Sequence, residues 1–343
     1  MNIALIAPPH IPVPPPRYGG TELFLAHLAR QLVACGHHVV VYANGESRLP
    51  CEVRSRYARC AWPIADPERA QMMNLDHHAW AIRDALASGF DVVHGNDALA
   101  VHFEAFLDAP LVLTLHHPHE PVLSELYARH PGVQYVAISR AQAASESMPL
   151  VRVVHHGLDL DDYRLGAGPR GYLAFLGRMA PCKGAHVAID VARRAGIPLK
   201  LAGEIQPFFR DYWETCVAPH VDGRFIEYVG EADLALKNEL LGGAAALLFP
   251  VDWEEPFGLV MIEAMACGTP VLALHRGSVP EVVRNGVSGW ICADVDAMVA
   301  RAAAPGIAPL VCRAYVARQF SVRRMARQYE AIYSAISRLE GAA

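Results

Sequence analysis

Ala245-Ala-Leu-Leu-Phe-Pro-Val-Asp-Trp-Glu-Glu255-Pro-Phe-Gly-Leu-Val-Met-Ile-Glu263-Ala-Met-Ala-Cys-Gly-Thr-Pro270-Val-Leu-Ala-Leu274 carries the architecture of the chain in miniature. The apolar run Ala245–Pro250 is short and uninterrupted, as a strand buried on both faces must be. A Pro256-Phe-Gly258 turn then feeds an amphipathic helix, and a second apolar run, Pro270–Leu274, follows it. Buried strands joined through helices are the pattern of a parallel sheet with crossover connections.

The same alternation extends in both directions. Upstream, Tyr172–Leu176, Leu199–Ala202 and Phe225–Val229 belong to the same series. Nearer the N-terminus, Ile3–Ala7, Val39–Tyr42, Asp91–His94, Leu111–Leu115 and Tyr135–Ile138 form another. A helix is expected over Thr21–Cys35, with Leu25, Leu28, Ala29, Leu32 and Val33 on one stripe and Gly36 placed to stop it. Between the two series Gly166-Ala-Gly-Pro-Arg-Gly171 reads as a linker, which puts a domain boundary near residue 165. A last amphipathic helix, Val322–Leu339, has one apolar face that either caps the second domain or crosses back to the first.

With 343 residues, 53% of them apolar and 19% charged, the chain is too long for one ordinary core and too apolar to be disordered. A net charge of −5 gives no basic stripe of the kind that neutralises a nucleic-acid backbone, so no nucleic-acid partner is expected. Apolar runs fall far short of the roughly 20 residues a bilayer requires, so no transmembrane segment is expected either. The opening Met1–Pro9 lacks a positive n-region and reads as a first strand rather than a leader, so a cytoplasmic protein is expected. The eight cysteines show no C-x-x-C spacing and are expected to be free and mostly buried.

Glu255 precedes the helix of the quoted stretch and Glu263 lies within it, among Met261, Ile262, Ala264 and Met265, where charge is usually avoided. Amides at Phe257, Gly258 and Leu259 would offer a helix N-terminus to an anion, with Gly258 allowing close backbone approach. A carboxylate beside a phosphate site needs hydroxyl partners or offsetting cations. The cations are Arg178 and Lys183, in Gly177-Arg-Met-Ala-Pro-Cys-Lys-Gly184, directly after the strand Tyr172–Leu176, where open parallel sheets bind ligands. Gly19 and Gly20 stand between the first strand and first helix and can present backbone to a ligand, and His116 ends the strand Leu111–Leu115. Histidines 117, 119, 155 and 156 cluster near it without a metal-ligand spacing, and Asp159-Leu-Asp161 and Asp294-Val-Asp296 read as caps, so no metal site is expected.

In this order and spacing, these motifs resemble the retaining glycosyltransferases of family 4. The likeness runs through Tyr18-Gly-Gly-Thr-Glu22, Gly36-His37, Asp91-Val-Val-His94, Thr114-Leu-His116, Ala137-Ile-Ser139, His156-Gly-Leu-Asp159, Gly177-Arg178 with Lys183-Gly184, Ala202-Gly203, the Glu255/Glu263 E-x7-E pair and Gly268-Thr-Pro-Val271, nearly the whole chain. The resemblance implies a GT-B fold, an α/β architecture of two Rossmann-like doubly wound parallel-sheet domains facing a central cleft. It implies an acceptor-binding domain over 1–165, on which a C-terminal helix over 320–343 packs back, and a donor-binding domain over 166–319. It further implies that Arg178 and Lys183 hold a diphosphate, Glu263 a ribose diol, and Glu255 with the amides of Phe257, Gly258 and Leu259 the transferred sugar. Gly19 and Gly20 would face the phosphates, and His116 would lie near the anomeric carbon. The catalytic set is then His116, Arg178, Lys183 and Glu255. No metal or other cofactor is implied beyond a nucleotide diphosphate sugar, UDP-linked, and a saccharide or small-molecule acceptor. Two departures stand out: His156 where many relatives have Asn before Gly, and Cys182 before Lys183. A sugar-nucleotide epimerase on the same fold is the alternative reaction, and a catalytically silent binding protein the alternative class.

Overall fold

The computed structural model describes residues 1–148, 151–168 and 170–340. It divides into two compact units. One comprises 1–15, 19–157 and the segment from residue 322; the other comprises 16–18 and 158–321.

Each unit is built on a wholly parallel sheet. In the first, β1 (Asn2–Ile6), β2 (His38–Tyr42), β3 (Glu52–Arg54), β4 (Val92–Gly95), β5 (Leu111–Thr114), β6 (Gln134–Ala137) and β7 (Val151–Val153) take the order 3-2-1-4-5-6-7. In the second, β8 (Tyr172–Leu176), β9 (Leu199–Ala202), β10 (Ile226–Tyr228), β11 (Ala244–Phe249), β12 (Val271–Leu274) and β13 (Gly289–Cys292) take the order 10-9-8-11-12-13. The order reverses beside β1 in one sheet and beside β8 in the other, the positions where doubly wound folds open a crevice at the strand carboxyl ends. Three strands escape sequence reading, all at sheet edges: β3 and β7 have three residues each, and β13 has four with Gly289 at its start.

Alternation along β1 decides the packing of the first unit. Ile3 and Leu5 face a core shared with Phe24, Leu25 and Leu28 of the helix Gly20–Ala34, while Ala4 and Ile6 face a second core with Ala81, Ile82 and Tyr127. The final helix, Val322–Glu340, lays Met325, Tyr329, Tyr333 and Ile336 into the first of these cores, beside the helix Gly20–Ala34. A hydrogen-bonded chain fixes its register. His94 joins Tyr333 Oη at 2.7 Å and Thr114 Oγ1 at 2.8 Å, and Thr114 Oγ1 joins Tyr329 Oη at 2.9 Å. Residues 341–343 of the expected helix lie outside the described residues.

The division falls between Gly157 and Leu158, ahead of the expected boundary at 165. Its cause is that the proposed linker is not free. Leu158 N donates to Phe320 O at 2.8 Å, Gly166 N donates to Cys267 O at 3.1 Å, and the Arg313 guanidinium donates to the carbonyls of Leu160 and Tyr163 at 2.9 and 2.8 Å. Gly166 packs so closely on Gly242 that a Cβ would overlap the Gly242 carbonyl. Pro169 of that segment lies outside the described residues.

The cysteines also differ from expectation. All eight are free, but Cys267, Cys292 and Cys312 alone are buried, whereas Cys35, Cys60 and Cys216 are exposed. The exposed three sit at a helix end, a loop and an irregular helical turn, where no apolar periodicity governs the position. No described helix is long and apolar enough to cross a membrane.

Candidate active site

The second unit brings Glu255 and Lys183 into direct contact. Glu255 is 6% exposed, and its Oε2 accepts from Lys183 Nζ at 2.5 Å and from Trp253 Nε1 at 2.8 Å. Lys183 Nζ also lies 4.5 Å from the centre of the Trp253 ring, a cation–π contact. A carboxylate removed from water needs such a counter-charge to offset its lost hydration. Among the described residues, nothing donates to Glu255 Oε1.

Backbone contacts explain why residues so distant in sequence meet. Lys183 closes a short turn after β8, and Gly184 next to it has φ 77°, packed so that a Cβ would overlap the Pro250 carbonyl beyond β11. Asp252 N donates to Cys182 O at 2.9 Å, so residue 182 ties the turn to the Glu255 loop through its main chain. That makes the Cys182 departure inconsequential for the tie. Arg178 emerges half-buried where Gly177 packs against Gly203, whose φ is 147° and where a Cβ would overlap the Gly177 carbonyl. Met179 N donates to Glu204 O at 2.9 Å and steadies the same loop. Among the described residues Arg178 makes no salt bridge, and its guanidinium lies 5.9 Å from the centre of the Tyr18 ring.

The helix of the E-x7-E stretch spans Leu259–Ala266 and starts one residue after Gly258, which has φ 76°. Phe257 and Gly258 therefore precede the helix. Its unsatisfied first-turn amides begin at Leu259. Phe257 is buried, and its carbonyl accepts from Ser278 Oγ at 2.8 Å.

Glu263 is 1% exposed, and its Oε1 accepts from Lys237 Nζ at 2.8 Å and from Tyr163 Oη at 2.9 Å. Burial, and then the neighbouring carboxylate, push the Tyr163 phenol well above its ordinary pKa, so it remains a donor. Among the described residues, nothing donates to Glu263 Oε2. Both glutamates are thus held alike, by one lysine and one aromatic donor on a single oxygen.

In the first unit, His116 Nε2 lies 3.0 Å from Asn96 Oδ1. Asn96 Nδ2 donates to the carbonyls of Ile6 and His94 at 3.1 and 3.3 Å, which fixes its Oδ1 as an acceptor. His116 must then carry its proton on Nε2, and because burial beside His156, His94 and His117 holds its pKa well below 6.5, Nδ1 is left as a lone-pair acceptor. His156, the departure from the common Asn, stacks on it at 5.5 Å with a 12° interplanar angle. His117 bonds Tyr127 Oη at 2.7 Å and His119 bonds Glu146 at 3.2 Å, so these rings are occupied within the unit. Gly19 is buried with φ 145° and Gly20 is exposed, so of this pair Gly20 is the one that faces solvent. The two D-x-D segments are caps: Asp159 accepts from Asp161 N at 3.2 Å and Asp294 from Ala297 N at 2.8 Å.

Sequence reading missed Lys237, Tyr163, Trp253 and Asn96. Trp253 lies two residues before Glu255 and could have been suspected as a donor. Lys237, in the polar run Lys237-Asn-Glu239, carries no signal that separates it from a solvated helix face.

Two family models match. Residues 18–162 match Glycosyltransferase Family 4 and residues 170–304 match Glycosyl transferases group 1, together most of the chain. A glycogen synthase of Mycobacterium tuberculosis is 28% identical over 82% of this chain and 81% of its own length. Among solved structures, AviGT4, a glycosyltransferase involved in avilamycin A biosynthesis, is 25% identical with a TM-score of 0.73, covering 98% of both chains. HepE of Anabaena, solved in complex with UDP and glucose, is 20% identical with a TM-score of 0.74, covering 97% of this chain and 99% of its own.

Proposed function

We infer the reaction from one premise: the chain belongs to family 4 of the glycosyltransferases and has their GT-B fold, so it moves a glycosyl group from a donor to an acceptor. The donor is a nucleotide diphosphate hexose, UDP-linked, and the acceptor is a hydroxyl of a saccharide or small molecule. The observation that carries this reading is the pair of cations in the loop after β8, where Arg178 makes no salt bridge among the described residues and Lys183 meets Glu255. A diphosphate supplies the opposite charge, and Arg178 can contact it bidentately. The same fold holds UDP and glucose in HepE.

Lys183 has three donors and spends one on Glu255, so the others can meet the leaving phosphate. Glu255 Oε1 accepts from a hydroxyl of the hexosyl group, and Glu263 Oε2 from the ribose. His116 offers Nδ1 to a sugar hydroxyl. The bond from the anomeric carbon to the phosphate oxygen breaks, and the bond to the acceptor oxygen forms on the same face. The leaving phosphate takes the acceptor's proton, so configuration is retained and Glu255 is no nucleophile. Fixed cations stabilise the developing phosphate charge, which removes the need for a divalent metal.

The test is incubation with UDP-, GDP- and ADP-hexoses and candidate acceptors in EDTA, with product anomers assigned by proton NMR. Nucleotide release that requires acceptor and gives a retained anomer is expected. An inverted product, a loss of turnover in EDTA, or an altered sugar still on its nucleotide overturns the reading.

A further inference from the structure

We propose that Tyr163 and Lys237 are positioning residues that set which oxygen of Glu263 faces the nucleotide, and so determine the enzyme's preference for a ribonucleotide donor over a deoxyribonucleotide one. The inference rests on the donor reading above and deepens it.

The geometry is specific. Both donors converge on Oε1, Tyr163 Oη from 2.9 Å and Lys237 Nζ from 2.8 Å, and among the described residues none reaches Oε2. A carboxylate rotates about its last torsion over a broad, roughly two-fold well, so a free glutamate would exchange its oxygens. Two donors on one oxygen lock that rotation and present the other as a fixed acceptor. The lysine also supplies the counter-charge that a carboxylate removed from water needs. Its side chain is 18% exposed against 1% for Glu263.

The supports of the two donors are joined. Lys237 lies on the helix Leu234–Gly242, which Asp233 caps by accepting from Leu236 N at 2.9 Å. The next residue, Asn238, donates to Asp162 O at 2.9 Å and accepts from Arg164 N at 2.6 Å, clasping the backbone on both sides of Tyr163. Arg313 holds the Tyr163 carbonyl at 2.8 Å. This small scaffold aligns two side chains, 74 positions apart in sequence, on one atom.

A fixed acceptor gains from a ribose hydroxyl and is left unpaired by its absence, a situation that gives strong discrimination. The experiment measures by calorimetry the affinity for whichever of UDP, GDP and ADP binds tightest, and for its 2′-deoxy and 2′,3′-dideoxy forms. Wild type is expected to favour the ribonucleotide by tenfold or more. Tyr163→Phe and Lys237→Met should each cut that ratio at least threefold, and together bring it near unity, with Lys237→Arg restoring part of it. Circular dichroism and deoxynucleotide affinity monitor folding, because a merely structural role would weaken both nucleotides equally and leave the ratio unchanged. Glu263→Gln separates the two failures. If it abolishes the preference while Tyr163→Phe and Lys237→Met leave it intact, the positioning role is overturned. If it too leaves the preference intact, or no nucleotide binds, the donor reading itself falls.

Discussion

A buried carboxylate is expensive unless a cation and a hydrogen-bond donor attend it, and Glu255 meets that condition with Lys183 and Trp253 on one oxygen. The pairing makes Lys183 → Ala informative. On the proposed mechanism it removes the ammonium that stabilises the leaving phosphate, and it is expected to lower kcat by roughly a hundredfold to a thousandfold, on the scale of losing one oxyanion donor. Trp253→Phe removes a single neutral donor and should cost about 1 kcal/mol, or some fivefold in kcat/KM. Steady-state kinetics check both, and equal losses in the two variants would refute the division of labour. At this scale the sequence is legible only where partners are local. Glu255 and Glu263 stand out because one short stretch holds both with a turn between them, and Lys183 because it follows a strand. Tyr163 and Lys237, which lie 100 and 26 positions from Glu263, could not be read, because their meeting is set by packing between elements that no local pattern encodes.

Elements reach the site through glycines that admit close backbone approach. Gly203 is the sharpest case: with φ 147° and the Gly177 carbonyl where its Cβ would stand, it presses the end of β9 against the Arg178 loop. Gly203→Ala must move that loop. It is expected to destabilise the second unit by about 2 kcal/mol or more in urea unfolding. Donor KM should rise more than kcat falls, because the displaced residue is the proposed diphosphate contact. A variant with unchanged KM would show that the loop position is immaterial. The final helix offers a second test. Tyr333→Phe strips the partner from His94 Nδ1 in a closed core, so a loss of about 1–3 kcal/mol is expected by urea unfolding, far more than deletion of a solvated hydroxyl would cost. The amphipathic face of that helix was plain from Val322, Met325, Tyr329 and Ile336, whereas its destination was not. Periodicity reveals that a face is buried, and only the resemblance to a family indicated where. The linker failed for a related reason: Gly and Pro mark irregular backbone, yet Gly166 is glycine because it touches Gly242, not because the chain is loose there.

Across the whole molecule, the buried histidines are gathered in one unit, and this makes its stability depend on pH. Burial, the largest cause in each case, lowers His77, His94 and His156 to about 3 and His116 well below 6.5, and His10 is lowered as well. All five belong to the first unit. The four strongly lowered rings, His77, His94, His116 and His156, remain neutral in the folded protein but take a proton in the unfolded chain once the pH falls below about 6.5. The unfolded state then binds more protons, so stability rises with pH through this window and is lost on acidification. From pH 7 to pH 5 each strongly lowered histidine withdraws roughly 2 kcal/mol. Glu22 acts in the opposite sense. Burial raises its carboxyl to about 7, so the folded state holds a proton that the unfolded state releases above its own pKa. Acidification over the same window therefore returns roughly 2 kcal/mol, less than the histidines together remove. Calorimetry between pH 7 and pH 5 should show the melting transition of the first unit falling by ten degrees or more, on the order of 6 kcal/mol at a few degrees per kcal/mol. Pulse proteolysis at each pH, with the surviving fragment identified by mass, assigns the transition: the 158–321 fragment is expected to outlast 1–157. The reverse order of loss, or a transition insensitive to pH, would mean that these rings are charged in the folded protein.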